Sequence, residues 1–256
     1  MSGASSRARH IGPPRAGWSW DDGEVSLVRR SVPPRVVSVA ALPQPITLDL
    51  TRTAVVVIDM QNDFCHPNGW LGSIGVDVAP ARAPIPTLVE HLPTLRAAGS
   101  SVIWLNWGTR VDRANLPANV IHVYDPEGTG VGIGSTVPTG HAVLERNSWG
   151  AALVDELHVE AGDLRVDKHR MSGFWDTELD SVLRNLDVTT VLFAGVNADQ
   201  CVWATLIDAA CAGYDTVLLE DACATTSPAY CWDATMYNVR QCFGFTATLA
   251  DLAQSV

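Results

Sequence analysis

Three reactive side chains follow strand-like apolar runs and are the candidates for chemistry. Asp59 comes directly after VVVI, Lys168 two residues after LRV, and Cys201 after VLFAG and a short turn. A cysteine thiolate is a nucleophile, a carboxylate can accept its proton and return it to a leaving amine, and an ammonium stabilises negative charge. Together these groups could hydrolyse an amide through an acyl-enzyme that water then releases.

Each of the three has an ordinary structural alternative. An aspartate after a strand often makes a turn, Lys168 lies in DKHR and could belong to a solvated basic run, and free cysteines are usually buried and inert. Their joint placement carries more weight, because α/β sheets bind ligands beyond the carboxyl ends of their strands. The start of a helix would also favour the Cys201 thiolate, and the N–H groups of the turn before it could form an oxyanion hole.

The elements that must position these residues alternate between strand-like and helix-like segments. This alternation predicts a three-layer α/β/α, Rossmann-like domain with a mostly parallel six-stranded sheet covered on both faces. The predicted strands are 53–58, 101–105, 163–166, 190–195, 216–220 and 244–248. The predicted helices lie near 85–95, 179–186, 201–213 and 228–242.

Composition excludes several classes of protein. A net charge of −11 argues against a nucleic-acid-binding surface. No run has the length and apolarity of a transmembrane helix, and the first residues lack the apolar segment of a secretory signal. The six cysteines show no C-x-x-C spacing, so we expect free thiols in a reducing compartment, the cytoplasm.

Two segments stand apart from the alternating pattern. Residues 1–46 are rich in Ser, Arg, Gly and Pro and predict an irregular N-terminal extension, ahead of one domain at 47–256. A disordered tail and a segment that drapes over a neighbouring subunit both fit this composition. The stretch 106–140 is rich in glycine and proline and is interpreted as a loop that could cover a pocket.

The motifs around the three reactive residues resemble those of the isochorismatase-like cysteine hydrolases. VVVIDMQNDF resembles the first-strand motif of that family, and VDKHRMSGFWDTELDSVLRNLDVTTVLFAGVNADQC its lysine and cysteine segments. The similarity covers roughly residues 50–250, and SWGAALVDEL resembles the ureidoacrylate amidohydrolases and related carbamoyl-amide hydrolases. The resemblance implies that Asp59 is the general base and acid, Lys168 orients the substrate and Cys201 is the nucleophile. It also implies a cis peptide bond at Val196–Asn197 that aims N–H groups at the oxyanion.

The sequence departs from the family at positions near the nucleophile. Ala198 stands where the family often has threonine, Asn197 where a small residue is common, and Met171 where the ureidoacrylate subgroup has an aromatic residue. These departures leave the triad intact and bear on the substrate. The residues assigned to the substrate pocket are Met171, the adjacent pair Asn106 and Trp107, and Gln61 and Phe64 just beyond Asp59.

The resemblance implies a cysteine-dependent amidohydrolase that acts on a small amide or ureido compound with water, without a cofactor. Nicotinamidases of the family bind a metal through histidines after the aspartate, whereas only His66 lies nearby here, so we expect no metal. Family members commonly form dimers or tetramers, so we expect a homo-oligomer, without nucleic-acid or membrane partners. A thiol-dependent redox or peroxide-reducing protein and a catalytically idle binding protein remain as alternatives.

Overall fold

The computed structural model of the chain describes residues 9–29, 32–128, 130–137, 140 and 142–256. The strands in these ranges are β1 (Arg9–Ile11), β2 (Trp18–Asp21), β3 (Glu24–Ser26), β4 (Val36–Val39), β5 (Ala41–Leu42), β6 (Ile46–Asp49), β7 (Thr53–Ile58), β8 (Ser101–Trp107), β9 (Leu164–Lys168), β10 (Thr190–Gly195), β11 (Asp215–Cys223) and β12 (Phe245–Ala247). The α-helices are α1 (Asn62–Cys65), α2 (Trp70–Ser73), α3 (Ala79–Arg82), α4 (Ile85–Ala97), α5 (Ala118–Val123), α6 (Leu179–Asn185), α7 (Trp203–Cys211), α8 (Ala229–Asn238) and α9 (Leu249–Gln254). Leu50–Arg52 forms a 3-10 turn, and Ala198–Val202 and Val239–Phe243 form π-helical turns.

The main sheet has the strand order β5-β12-β11-β10-β7-β8-β9. All pairs are parallel except β12 with β5, so the predicted parallel strands are confirmed and an antiparallel seventh is added. Every residue of β7, which lies between β10 and β8, is buried, as its continuous apolar run predicts. Gly195 pairs with Ile58 and Trp107 with Lys168, which brings the carboxyl ends of these strands to one edge.

Helices pack against this sheet through apolar stripes. In α4, Leu88, Leu92 and Leu95 are buried at helical spacing, and the helix contacts β8 and α9. The helix is followed by Gly99 with φ of 97°, a left-handed conformation that glycine adopts without steric cost. The chain can therefore turn sharply at this glycine and enter β8.

The N-terminal extension differs from the expectation of irregular structure. Its described residues form a three-stranded antiparallel sheet, β1-β2-β3, and β4 pairs with β6 while β5 extends the main sheet. For β4 the reason lies in the alternation of VVSV, which buries Val37 and Val39 and exposes Val36 and Ser38. Draping over a neighbouring subunit and the homo-oligomer stay predictions.

The α-helices of these ranges are short, and the longest of them, α4, has 13 residues. Within the described ranges, none of them has both the length and the apolarity needed to cross a bilayer.

Candidate active site

Asp59 stands where β7 ends. Its φ is 54°, in the left-handed region that aspartate tolerates better than most residues. Its backbone N–H donates to the Leu105 carbonyl at 3.0 Å, and its Oδ1 accepts from the Trp107 N–H at 3.1 Å. The carboxylate is only 1% exposed, so the end of β8 fixes it in a buried position.

Lys168 ends the edge strand β9 and is completely buried. Its Nζ lies 2.9 Å from Asp59 Oδ2 and 4.2 Å from the centre of the Trp107 ring. A buried cation is tolerated when its charge is paired and further polar or aromatic contacts stabilise it. Among the described residues, Oδ2 has this ion pair but no hydrogen bond of regular geometry, which leaves a lone pair for an incoming proton.

Cys201 lies in the π-helical turn between β10 and α7. Its side chain is almost fully buried, and its Sγ is 3.3 Å from Lys168 Nζ. The structure therefore places Asp59, Lys168 and Cys201 in one buried cluster, with the lysine in contact with both acidic partners.

The electrostatics of this cluster differ from the expectation that the thiol is readily ionised. Burial raises the pKa of Cys201 to about 12, against the opposing effect of the Lys168 ammonium, and the nearby Asp59 raises it further. Burial also raises the pKa of Asp59, although Lys168 opposes it. Removal from water penalises each anion, so burial favours the thiol form of Cys201 and increases the basicity of the Asp59 carboxylate.

The turn before Cys201 contains a cis peptide bond at Val196–Asn197. The segment that follows β11 holds this turn. Thr226 N–H donates to Asn197 Oδ1 at 3.1 Å, and Thr225 Oγ1 donates to Asp199 Oδ1 at 2.5 Å. Asn197, at a position that departs from the family, thus has a structural partner.

Gln61 has a positioning role that its sequence location did not indicate. Its Nε2 donates to the carbonyls of Trp107 at 2.8 Å and Ala151 at 2.6 Å, and its Oε1 accepts from the Trp107 N–H at 2.8 Å. The side chain is fully buried, so its amide holds the end of β8 in place. Sequence reasoning missed Asp63, whose carboxylate accepts from the N–H groups of Trp70 and Leu144.

The adjacent residues Asn106 and Trp107 point to opposite faces of β8, as neighbours in a strand must. Trp107 faces Lys168. Asn106 and Trp107 both line a cleft of about 1000 Å³ along β9, whose lining also includes Asp167 and His169 but not Cys201. The assignment of Asn106 to the substrate pocket therefore stays a prediction.

Met171 lies next to the thiol, whereas Phe64 packs against another aromatic ring. Met171 Sδ is 3.7 Å from Cys201 Sγ, and Phe64 packs edge-on against Trp70 at 6.1 Å between ring centres. The sequence analysis did not identify Tyr124, because this residue comes from a glycine- and proline-rich stretch without helical or strand periodicity. It also did not identify Gln200, although this residue directly precedes Cys201 in the sequence.

No three or more His, Cys, Asp or Glu side chains of the described ranges are grouped so that they could hold a metal ion.

Comparisons with known proteins agree with this geometry. The Isochorismatase domain model matches residues 53–251. Ureidoacrylate amidohydrolase RutB of Rhizobium rhizogenes is 36% identical over 220 residues, which cover 86% of this chain and 89% of that protein. A cysteine hydrolase from Pseudomonas syringae pv. phaseolicola has a TM-score of 0.69 at 25% identity, over 88% of this chain and 98% of that one. An N-carbamoylsarcosine amidase from Thermoplasma acidophilum has a TM-score of 0.58 at 26% identity, with 77% and 96% covered.

Proposed function

The chain belongs to the isochorismatase family, and we propose that it is a cysteine-dependent amidohydrolase. Its substrate would be a small linear amide or ureido compound, cleaved at a C–N bond through a thioester. The observation that carries this proposal is the buried contact of Lys168 with both Asp59 Oδ2 and Cys201 Sγ. The printed names of the relatives, ureidoacrylate amidohydrolase and N-carbamoylsarcosine amidase, support the substrate class.

Acylation begins with proton transfer. Because the pKa of Cys201 is raised, the thiol proton leaves for Asp59 Oδ2 as Sγ attacks the substrate carbonyl carbon. The Lys168 ammonium stays beside both groups and stabilises the negative charge that passes between them. When the C–N bond breaks, Asp59 returns the proton to the leaving nitrogen and the acyl group remains on sulfur as a thioester.

The negative charge that develops on the carbonyl oxygen needs hydrogen-bond donors. In the turn before the nucleophile, Ala198 N–H donates to the Ala224 carbonyl at 2.8 Å and Gln200 N–H to the Asn197 carbonyl at 3.0 Å. We assign the oxyanion role to two other N–H groups of this segment, those of Asn197 and Cys201. Neither depends on a side chain, so the departures from the family at positions 197 and 198 leave this role intact.

Deacylation reverses the proton transfer. Asp59 takes a proton from water, the hydroxide oxygen bonds to the thioester carbon, and the C–S bond breaks. The proton then returns to sulfur, which restores the Cys201 thiol and the Asp59 carboxylate.

The test is a search for the thioester. The full chain is mixed with ureidoacrylate, N-carbamoyl amino acids, biuret or simple amides, ammonia release is followed, and samples quenched in acid are weighed by intact-protein mass spectrometry. We expect ammonia release with at least one ureido compound and an acyl mass on Cys201, and neither with Cys201→Ala. Hydrolysis that survives in Cys201→Ala would contradict the proposal, and peroxide consumption with a thiol donor in place of hydrolysis would favour the redox alternative.

A further inference from the structure

Three uncharged polar side chains lie beyond Met171 as seen from the nucleophile. The Tyr124 hydroxyl donates to Gln200 Oε1 at 3.3 Å, and Gln200 Nε2 donates to Ser227 Oγ at 3.4 Å. The Tyr124 hydroxyl also lies 3.9 Å from Met171 Sδ. A phenol, a primary amide and an alcohol therefore form a chain of neutral hydrogen-bonding groups next to the reactive centre.

Met171 connects this chain to the nucleophile. Its sulfur is 3.7 Å from Cys201 Sγ on one side and 3.9 Å from the Tyr124 hydroxyl on the other. A substrate that reaches Cys201 must displace the Met171 side chain, which is unbranched and adapts easily. The end of the substrate distant from the scissile bond then occupies the place of the Met171 sulfur, next to Tyr124 and Gln200.

The position of Tyr124 is defined by aromatic packing. Its ring contacts Trp70 edge-on at 5.4 Å between centres, and Trp70 Nε1 donates to the Val131 carbonyl. The hydrogen bonds of Tyr124 and Gln200, at 3.3 and 3.4 Å, are longer than usual, so a substrate can replace them at small cost. Burial, with Cys201, Asp59 and Asp199 nearby, raises the pKa of Tyr124, and its hydroxyl stays a donor at neutral pH.

The charges around Met171 indicate which kind of substrate end the site accepts. The two cations nearest to it in sequence are both paired, Lys168 with Asp59 and Arg170 with Asp176 at 3.0 Å. A carboxylate at the far end would thus meet neutral groups and the neighbouring acidic Asp199. An amide or ureido group would meet donors and acceptors that match its own.

We propose that Tyr124 and Gln200 bind the end of the substrate distant from the scissile bond and select an uncharged amide or ureido end over a carboxylate. This selectivity rests on the proposed function and narrows its substrate class to ureido compounds and amides with an uncharged far end, unlike ureidoacrylate and N-carbamoylsarcosine, the compounds named for the relatives, which both end in a carboxylate.

The test compares two probes of matched size, N-carbamoylglycinamide and its carboxylate counterpart N-carbamoylglycine. Binding is measured by titration calorimetry to the full-length Cys201→Ala variant, which separates recognition from turnover. We expect the neutral probe to bind at least about tenfold more tightly, a ratio that corresponds to about 1.4 kcal/mol. Tyr124→Phe should reduce its affinity severalfold and leave the weak affinity for the acid unchanged.

A charge substitution makes the test reciprocal. Gln200→Arg, in the same background, should reverse the preference because the guanidinium pairs with the carboxylate. Gln254→Arg, at the exposed end of α9, adds the same charge far from the site and should leave the ratio unchanged. Thermal midpoints check that each variant is folded.

The outcomes separate the two proposals. Equal affinities, tighter binding of the acid by the parent variant, binding of neither probe, or a ratio that Gln200→Arg leaves unaltered would each overturn the selectivity. A neutral preference in binding with no thioester on Cys201 of the unsubstituted chain would uphold the selectivity and refute the hydrolytic function.

Discussion

Cys201 and Cys65 are both buried thiols, and burial raises the pKa of each to about 12. Their surroundings nevertheless differ. The Cys65 thiol donates to the Ala81 carbonyl at 3.6 Å. The neighbouring cation, Arg82, uses its guanidinium to bind the Cys65 carbonyl and to pair with Glu156 at the protein surface.

Around Cys201 the cation and the carboxylate are themselves buried. Lys168 and Asp59 are 0% and 1% exposed and contact each other, and Lys168 also contacts the Cys201 sulfur. Because burial raises the pKa of both thiols, what distinguishes Cys201 is a buried base that can accept its proton and a buried cation that stabilises the resulting anion. The comparison can be tested by changing matched partners of the two thiols.

The largest difference is expected for the carboxylates. Asp59→Asn removes the proton acceptor and should lower kcat/KM for the best ureido substrate by roughly 10²–10⁴-fold, the range for loss of general acid–base catalysis. Glu156→Gln, next to Cys65, should leave kcat/KM within about twofold, since surface charges rarely affect remote chemistry. Steady-state kinetics measures both, and a loss below tenfold in Asp59→Asn would remove Asp59 from the role of base.

The cations should differ next, in stability. Lys168→Met leaves the Asp59 charge buried and unpaired and should lower the free energy of unfolding by about 3 kcal/mol. Arg82→Met breaks a partly exposed pair and should cost less than about 1 kcal/mol. Urea denaturation provides the measurement. The double variant Asp59→Asn with Lys168→Met should be more stable than Lys168→Met alone, because it removes the unpaired charge. Equal losses of unfolding free energy in Lys168→Met and Arg82→Met would contradict the expected difference between the two cations.

Much of the sheet could be predicted from sequence because its strands are continuous apolar runs. The run 53–58 is buried at every position and forms an interior strand of the sheet. The rule that ligands bind at strand ends predicts that Asp59, Lys168 and Cys201 lie close together. These features depend on local pattern and on topology, which sequence retains.

Features that depend on distant backbone partners were less predictable. Gln61 follows Asp59 closely, yet its amide binds Trp107 and Ala151, which only the folded chain brings near. Tyr124 reaches the site from a segment without periodicity. The direction of the Cys201 pKa shift was also predicted wrongly. The position of Cys201 at the start of a helix favours the thiolate, whereas burial, which is known only from the folded structure, favours the thiol.

The last and smallest contrast concerns the reactivity of the thiols towards iodoacetamide. Because the pKa of Cys201 is raised, its thiolate fraction, and with it the alkylation rate, should rise about tenfold per pH unit between about pH 7 and 9. Cys65, which is fully buried, should stay unlabelled in the folded protein. Peptide mass spectrometry measures both, with Cys201→Ala as the control for background labelling. Asp59→Asn should move the Cys201 profile to lower pH, because the Asp59 carboxylate raises the pKa of that thiol. A rate that is already constant across this pH range would instead show that Cys201 rests as a thiolate, and the proton transfer to Asp59 would then play no part in the attack.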